Sequence, residues 1–228
     1  MTMNVFLAGA SQGNERGLNM SRNDSVVVIK GGRLMNHLPE ILGMFGYSDL
    51  GKNRIVRDDE EFAKMMAGWN LGDGRVLKAA TTSAGWLMIY DPEFVMNVNA
   101  QACQAVSRKF STQVFGMILG GASDTYGFCL HDNGAKVREF LAVGGKLDKN
   151  DGKPLSPEIG LNLKGLSGLD EKLVTVMLGV TGVDLYTVIE NGEFTVKELG
   201  PRGEAPQKAG GESGPAPEEK KSSWKFWK

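Results

Sequence analysis

The sequence predicts an α+β fold: a mixed, mainly antiparallel sheet with three to four packed helices and a disordered C-terminal tail. Three observations carry this. Strand-length β-branched runs and helix-period apolar stripes interleave irregularly, without a regular strand–helix–strand repeat. The pair Asn133-Gly134 lies between two arms that read as strands, the mark of a tight antiparallel hairpin. From Gly200 onward the chain turns to Pro, Gly, Glu, Lys and Ser, a composition that cannot bury enough apolar surface to order itself. The implied division is one α+β domain over residues 1–199 and a tail over 200–228.

Val5 to Ala8 reads as a short strand, followed by a polar, glycine-containing loop from Gly9 to Asp24. Val26-Val27-Val28-Ile29 is a strand apolar on both faces, as a central strand requires. Leu34, Leu38, Ile41, Leu42 and Phe45 share one helix face; Pro39 inside the pattern places the helix start there, in its first turn, and Gly46 is the stop. Asp58 and Glu61 have capping-box spacing. Phe62, Met65, Met66 and Trp69 then follow at i, i+3, i+4 and i+7, so all four are expected to face the core, and Trp69→Ala to cost on the order of 3–5 kcal/mol. Strands are predicted over 75–81 and 85–90.

A helix over 99–110 is expected to bury Ala102, Ala105, Val106 and Phe110, and 113–119 reads as a strand. The hairpin spans 125–143, turning at Asn133-Gly134, and 144–157 reads as a polar loop. Ser167-x-x-Asp170 reads as the cap of another helix, whose buried stripe is Leu169, Leu173, Val176, Met177 and Val180. Residues 183–189 fit either strand or helix. A second Asn-Gly, 191–192, precedes a strand over 194–199.

Composition excludes several classes. Lys plus Arg is 26 against 27 Asp plus Glu, which suits neither a basic nucleic-acid coat nor an acidic solvating chain. Glycine is the outlier at 31 of 228 residues, roughly twice the usual share of about 7%, but without the period of three that collagen needs. No apolar run reaches the roughly 18–20 residues of a membrane span, and the start lacks the basic region of a secretory signal. Two cysteines, Cys103 and Cys129, make no disulfide framework. The expectation is a soluble, cytoplasmic protein.

The chemistry-bearing candidates are few. Gly9, Gly13 and Gly17 follow an apolar run, but their spacing departs from G-x-G-x-x-G and no helix follows; a plain loop is the better reading. Asp148 to Lys153 resembles a calcium loop with its glycine out of register. No metal-ligand spacing and no nucleophile elbow occurs. Asp58 to Glu61 pairs carboxylates that could exchange protons, although a helix cap explains them better. Cys129 and His131 lie two apart and share one strand face, so a Cys–His dyad is conceivable. Without a third orienting group, neither is expected to be catalytic, and the Cys129 thiol is expected to titrate near about 8.5 or above it. No cofactor and no metal is implied. The terminal Trp224-Lys225-Phe226-Trp227-Lys228 interleaves aromatic and basic residues. It reads as a partner-binding element with weak contact to anionic membranes.

A resemblance arises on the central hairpin. Thr125-Tyr126-Gly127-Phe128, Asp132-Asn133-Gly134 and Val137-Arg138-Glu139-Phe140 follow a pattern that resembles uncharacterised bacterial proteins of the immunity kind encoded beside polymorphic toxins. Gly152-Lys153-Pro154-Leu155-Ser156-Pro157-Glu158 is similar to the loop that follows in such proteins, and Trp86 to Asp91 also fits. The resemblance covers residues 75–160 and assigns no functional residue. It implies a non-catalytic bacterial binding protein, immunity-like, acting on a protein partner and not on nucleic acid. The alternatives are an enzyme using Cys129/His131 or the Gly9–Gly17 loop, and a peripheral membrane protein attached by its tail.

Overall fold

Val26-Val27-Val28-Ile29 forms the middle of β1 (Asn23–Lys30), and all four side chains are fully buried. In the computed structural model, which describes residues 23–203, this strand sits at the centre of a ten-stranded sheet whose pairings are all antiparallel. The strand expected over 5–8, the Gly9–Gly17 loop and the terminal 224–228 motif lie outside the described residues.

A 3-10 turn (Gly32–His37) leads into α1 (Leu38–Met44), which starts with Pro39 in its first turn. Then come β2 (Asp49–Val56), α2 (Asp59–Ala67), β3 (Asn70–Gly72), β4 (Arg75–Ser83) and β5 (Trp86–Tyr90). They are followed by α3 (Ala100–Lys109), β6 (Gln113–Gly120), β7 (Thr125–Asp132), β8 (Ala135–Val143) and β9 (Lys146–Asp151). The described chain closes with α4 (Leu169–Thr181), α5 (Leu185–Asn191) and β10 (Phe194–Leu199). The strand order is β2-β10-β4-β5-β1-β6-β7-β8-β9, with β3 paired to β4. Among the described residues there are five α-helices, one or two more than expected; the fifth is the 183–189 segment, where Asp184 accepts from the Tyr186 and Thr187 amides and so starts a helix.

Side-chain alternation splits the core in two. Val26 and Val28 point to a face covered by α2, α4 and α5, while Val27 and Ile29 point to the face covered by α1 and α3. On the first face Phe115, Phe128 and Phe140 stack across three neighbouring strands, with ring centroids 5.4 and 6.1 Å apart, a cross-strand aromatic ladder. Among the described residues, no single helix is long and apolar enough to cross a membrane.

The hairpin turns where expected. Asn133 and Gly134 have φ of 48° and 81°, the positive angles of a type I′ turn. The Gly134 amide donates to Ser107 Oγ at 3.0 Å, and Gln104 donates to the Gly134 carbonyl at 2.7 Å. A Cβ at Gly134 would stand 2.8 Å from Arg108 Cβ. Gly134→Val is therefore expected to cost at least about 1 kcal/mol and to loosen α3, and urea denaturation checks it. An unchanged midpoint and slope would show that the turn tolerates a side chain.

Several expectations are corrected. α2 ends at Ala67, so the seven-residue spacing does not carry Trp69 onto the Phe62 face. Phe62 and Met66 are buried and Met65 is partly buried on one side of the sheet, whereas Trp69, half-buried beyond Gly68, packs against the core on the other side. The cost of Trp69→Ala then falls below that of a fully buried aromatic. In α3 Ala105 is exposed and Cys103 is buried in its place. The cap of α4 is Gly168 at φ 59°, without a side-chain bond from Ser167. The 144–157 loop contains β9. At α2 the cap is as expected: Asp58 accepts from the Glu61 amide at 2.8 Å, while the Glu61 carboxylate pairs with Arg54.

Candidate functional site

The antiparallel register places Cys129 between Gly116 of β6 and Glu139 of β8, with His131 two residues along on the same face. That face is the one α3 covers. α3 starts at Asn99, whose side chain accepts from the Ala102 amide at 3.0 Å. The helix presents Ala102, Cys103 and Val106 inward. Cys103 and Cys129 are therefore brought together across the helix–sheet contact, and both are buried.

One short segment holds the pair. The Cys103 sulfur lies 3.5 Å from the Met96 carbonyl oxygen, and the Cys129 sulfur 3.6 Å from that of Asn97. The segment is pinned from below: Asp91 accepts from the Val95 and Met96 amides at 2.8 and 2.7 Å. Asp91 in turn pairs with Lys78, and both side chains are about fully buried, at 0% and 1% exposure. Lys78 also meets Glu93 at 2.7 Å and stands 5.0 Å over the Tyr47 ring. Tyr47 donates to Glu93 at 2.6 Å; burial, then that carboxylate, push its phenol far above the ordinary range. A buried ionic cluster thus fixes the two carbonyls beside the thiols.

A groove of about 360 Å³ opens over this point. Its floor is the sheet surface at Gly116, Ile118 and Leu141, and Asn97 and Val98 form one wall. A Cβ at Gly116 would lie 3.2 Å from the Cys129 sulfur and 3.3 Å from Asn97, so glycine there lets the segment close onto the sheet. Lys136, Glu139 and Lys149 form the other wall, joined as Lys136–Glu139 at 2.8 Å and Lys149–Glu139 at 2.7 Å. Burial opposes the charge on Glu139, but the two lysines hold its carboxyl below the usual range. Val98 and Val143 stay exposed, at 43% and 41%.

Three buried side-chain polar atoms have no hydrogen-bond partner among the described residues: Ser25 Oγ, Asn97 Oδ1 and His131 Nδ1. Such atoms are uncommon in folded proteins because each costs about 1–3 kcal/mol. Asn97 and His131 line the groove. Ser25 lies on the same sheet face, opposite Ile118.

No protein-family model, curated protein or solved structure matches the chain.

The thiols depart from the value expected from the sequence. Cys103 donates toward the Cys129 sulfur and so favours its thiolate; burial opposes this, and His131 adds to it, leaving Cys129 below the ordinary thiol range. Cys103 is pushed up, first by that same contact and then by burial. The sequence brings Cys129 and His131 to one face but does not reveal Cys103, which sits on a different element 26 positions earlier. The signal was weak but present: a free cysteine inside an amphipathic helix is among the most buried residue types. The 58–61 carboxylates lie at the start of α2, on the opposite face of the sheet, where Asp58 caps the helix. Among the described residues no group of three or more His, Cys, Asp or Glu could hold a metal ion.

Proposed function

We propose that this is a binding protein, immunity-like in the sense expected from the sequence, which holds an extended segment of a protein partner in the groove over β6–β8. The observation that carries the reading is the pair of unpartnered polar atoms, Asn97 Oδ1 and His131 Nδ1, set among apolar side chains in that groove. A few placed polar groups within an apolar lining is the common composition of a recognition site. A partner's backbone donor satisfies Asn97, and its apolar side chains cover Val98 and Ile118. The lysines of the wall are balanced by Glu139 together with Asp151, which pairs with Lys136 at 3.0 Å, so the wall confers shape more than charge. The aromatic–basic residues Trp224, Lys225, Phe226, Trp227 and Lys228 supply a second contact in this reading, to the same partner or to an anionic membrane.

The test is affinity capture from native cells with tagged chains. Wild type should retain a partner in stoichiometric amount. Val98→Asp and Asn97→Leu should lose it about tenfold or more, corresponding to about 1.4 kcal/mol or more of contact energy. Leu50→Asp, on the opposite edge of the sheet and similarly exposed, should retain it. A partner that survives both groove substitutions overturns the assignment of the groove.

A further inference from the structure

We infer that Cys103 and Cys129 form an oxidisable dithiol, which a hydroperoxide closes into an intramolecular disulfide between α3 and β7. The inference stands on the local geometry and does not depend on the groove holding a partner. Two free cysteines on different elements meet under one segment, each sulfur beside one of two consecutive carbonyls, Met96 and Asn97. They have different access. Cys129 lines the groove, with His131 and its unpartnered Nδ1 beside it. Cys103 is sealed behind it at zero exposure. One thiol thus borders the groove, at 7% exposure, and the other lies behind it, which separates an attacking from a resolving cysteine. The electrostatics agree: Cys129 is held below the usual thiol range and Cys103 above it, so the sulfur at the groove is the one that ionises. Thiolate character together with access governs oxidation.

The chemistry balances. The Cys129 thiolate attacks the outer oxygen of the hydroperoxide. An S–O bond forms and the O–O bond breaks. The departing alkoxide or hydroxide takes a proton from solvent and leaves as alcohol or water. Cys129 is then a sulfenic acid. The Cys103 sulfur attacks the Cys129 sulfur, the S–S bond forms and the S–O bond breaks. The hydroxide leaves as water with the Cys103 proton. Two thiols lose two electrons in total and the peroxide gains them. The two sulfurs lie beside consecutive carbonyls of one segment, so the approach is local, and Gly116 opposes no side chain to movement of the Cys129 sulfur.

The experiment treats the full chain with hydrogen peroxide and measures intact mass and free thiols after denaturation. Wild type should lose the mass of two hydrogens, its thiol count should fall from two to zero, and a dithiol reductant should restore both. Cys103→Ser should stop at a Cys129 sulfenic acid that a cyclic 1,3-dione traps. Cys129→Ser should leave Cys103 reduced under the same treatment. The oxidation rate of wild type should persist below the pH at which an ordinary thiol, with a pKa of about 8.5, becomes protonated. The wild-type measurement needs no substitution, so it decides even if a variant fails to fold. Two free thiols remaining under excess peroxide overturn the inference, as does a disulfide found only between separate chains or equal reactivity of the two single variants.

Discussion

Replacing Asp91 by alanine should lower the unfolding free energy by about 3–5 kcal/mol, the usual cost of leaving one member of a buried ion pair behind. Lys78 would keep only Glu93, itself shared with Tyr47, and the Val95 and Met96 amides would lose their acceptor. Urea unfolding at neutral pH measures the loss. Asp91→Asn retains an oxygen for the amides and should cost less than the alanine. A loss below about 1 kcal/mol for Asp91→Ala would mean that the cluster is solvated and that the 91–97 segment is held by other contacts. The substitution also reads out on the site: once the segment is released, Cys129 should be alkylated faster than in wild type at the same pH.

Arg138→Met should cost a comparable amount, about 3–5 kcal/mol, but at the other end of the sheet. Arg138 is 2% exposed and Glu158 4%. All five N–H donors of the guanidinium are used. Nε and Nη2 reach the two oxygens of Glu158 at 2.9 and 2.7 Å, Nη1 reaches the carbonyls of Glu139 and Asp151 at 3.0 and 2.9 Å, and Nη2 also reaches Asn150 Oδ1 at 2.7 Å. Glu158 Oε1 further accepts from the Leu155 amide at 2.8 Å. One side chain therefore fastens β8, β9 and the 155–158 turn. Arg138→Lys should recover little, since an ammonium cannot reproduce the planar fork. Limited proteolysis should cut between 144 and 158 in the variant before it cuts elsewhere. If cleavage starts elsewhere and the unfolding midpoint holds, the guanidinium is not what fastens this edge.

The inner fold was legible and the edges were not, for a reason visible in particular residues. Val26 to Ile29 and Phe194 to Leu199 belong to strands buried within the sheet, so their apolar patterns reflect burial, while the Asn133-Gly134 turn was legible from the positive φ its residues favour. β2 and β9 end the strand order, each paired on one side only. Residues 50–55 and all of 146–151 are exposed, and an exposed edge leaves no apolar alternation to read. The same limit applied to the site. Cys129 and His131 share a strand, so strand periodicity alone aligns them. Cys103, Asn97 and the Lys78–Asp91 pair come from other elements, and only tertiary packing brings them together. Arg138 and Glu158 were both present in the segments that carry the sequence resemblance, yet their pairing across 20 positions follows no local rule.

The strand order has a consequence for biosynthesis. β10 lies between β2 and β4, so β2, among the first strands made, has no sheet partner until the residues of β10 exist. Phe194 then lands opposite Val56, about 140 positions earlier. Closing so long a loop is slow. A nascent chain that has not yet emitted residues 194–199 can assemble β4 to β9 around β1, while β2 waits unpaired. Assembly of the described sheet thus ends with a late insertion of β10, and premature termination before that strand should leave a species with two unpaired strand edges, β2 and β4, exposed to aggregation.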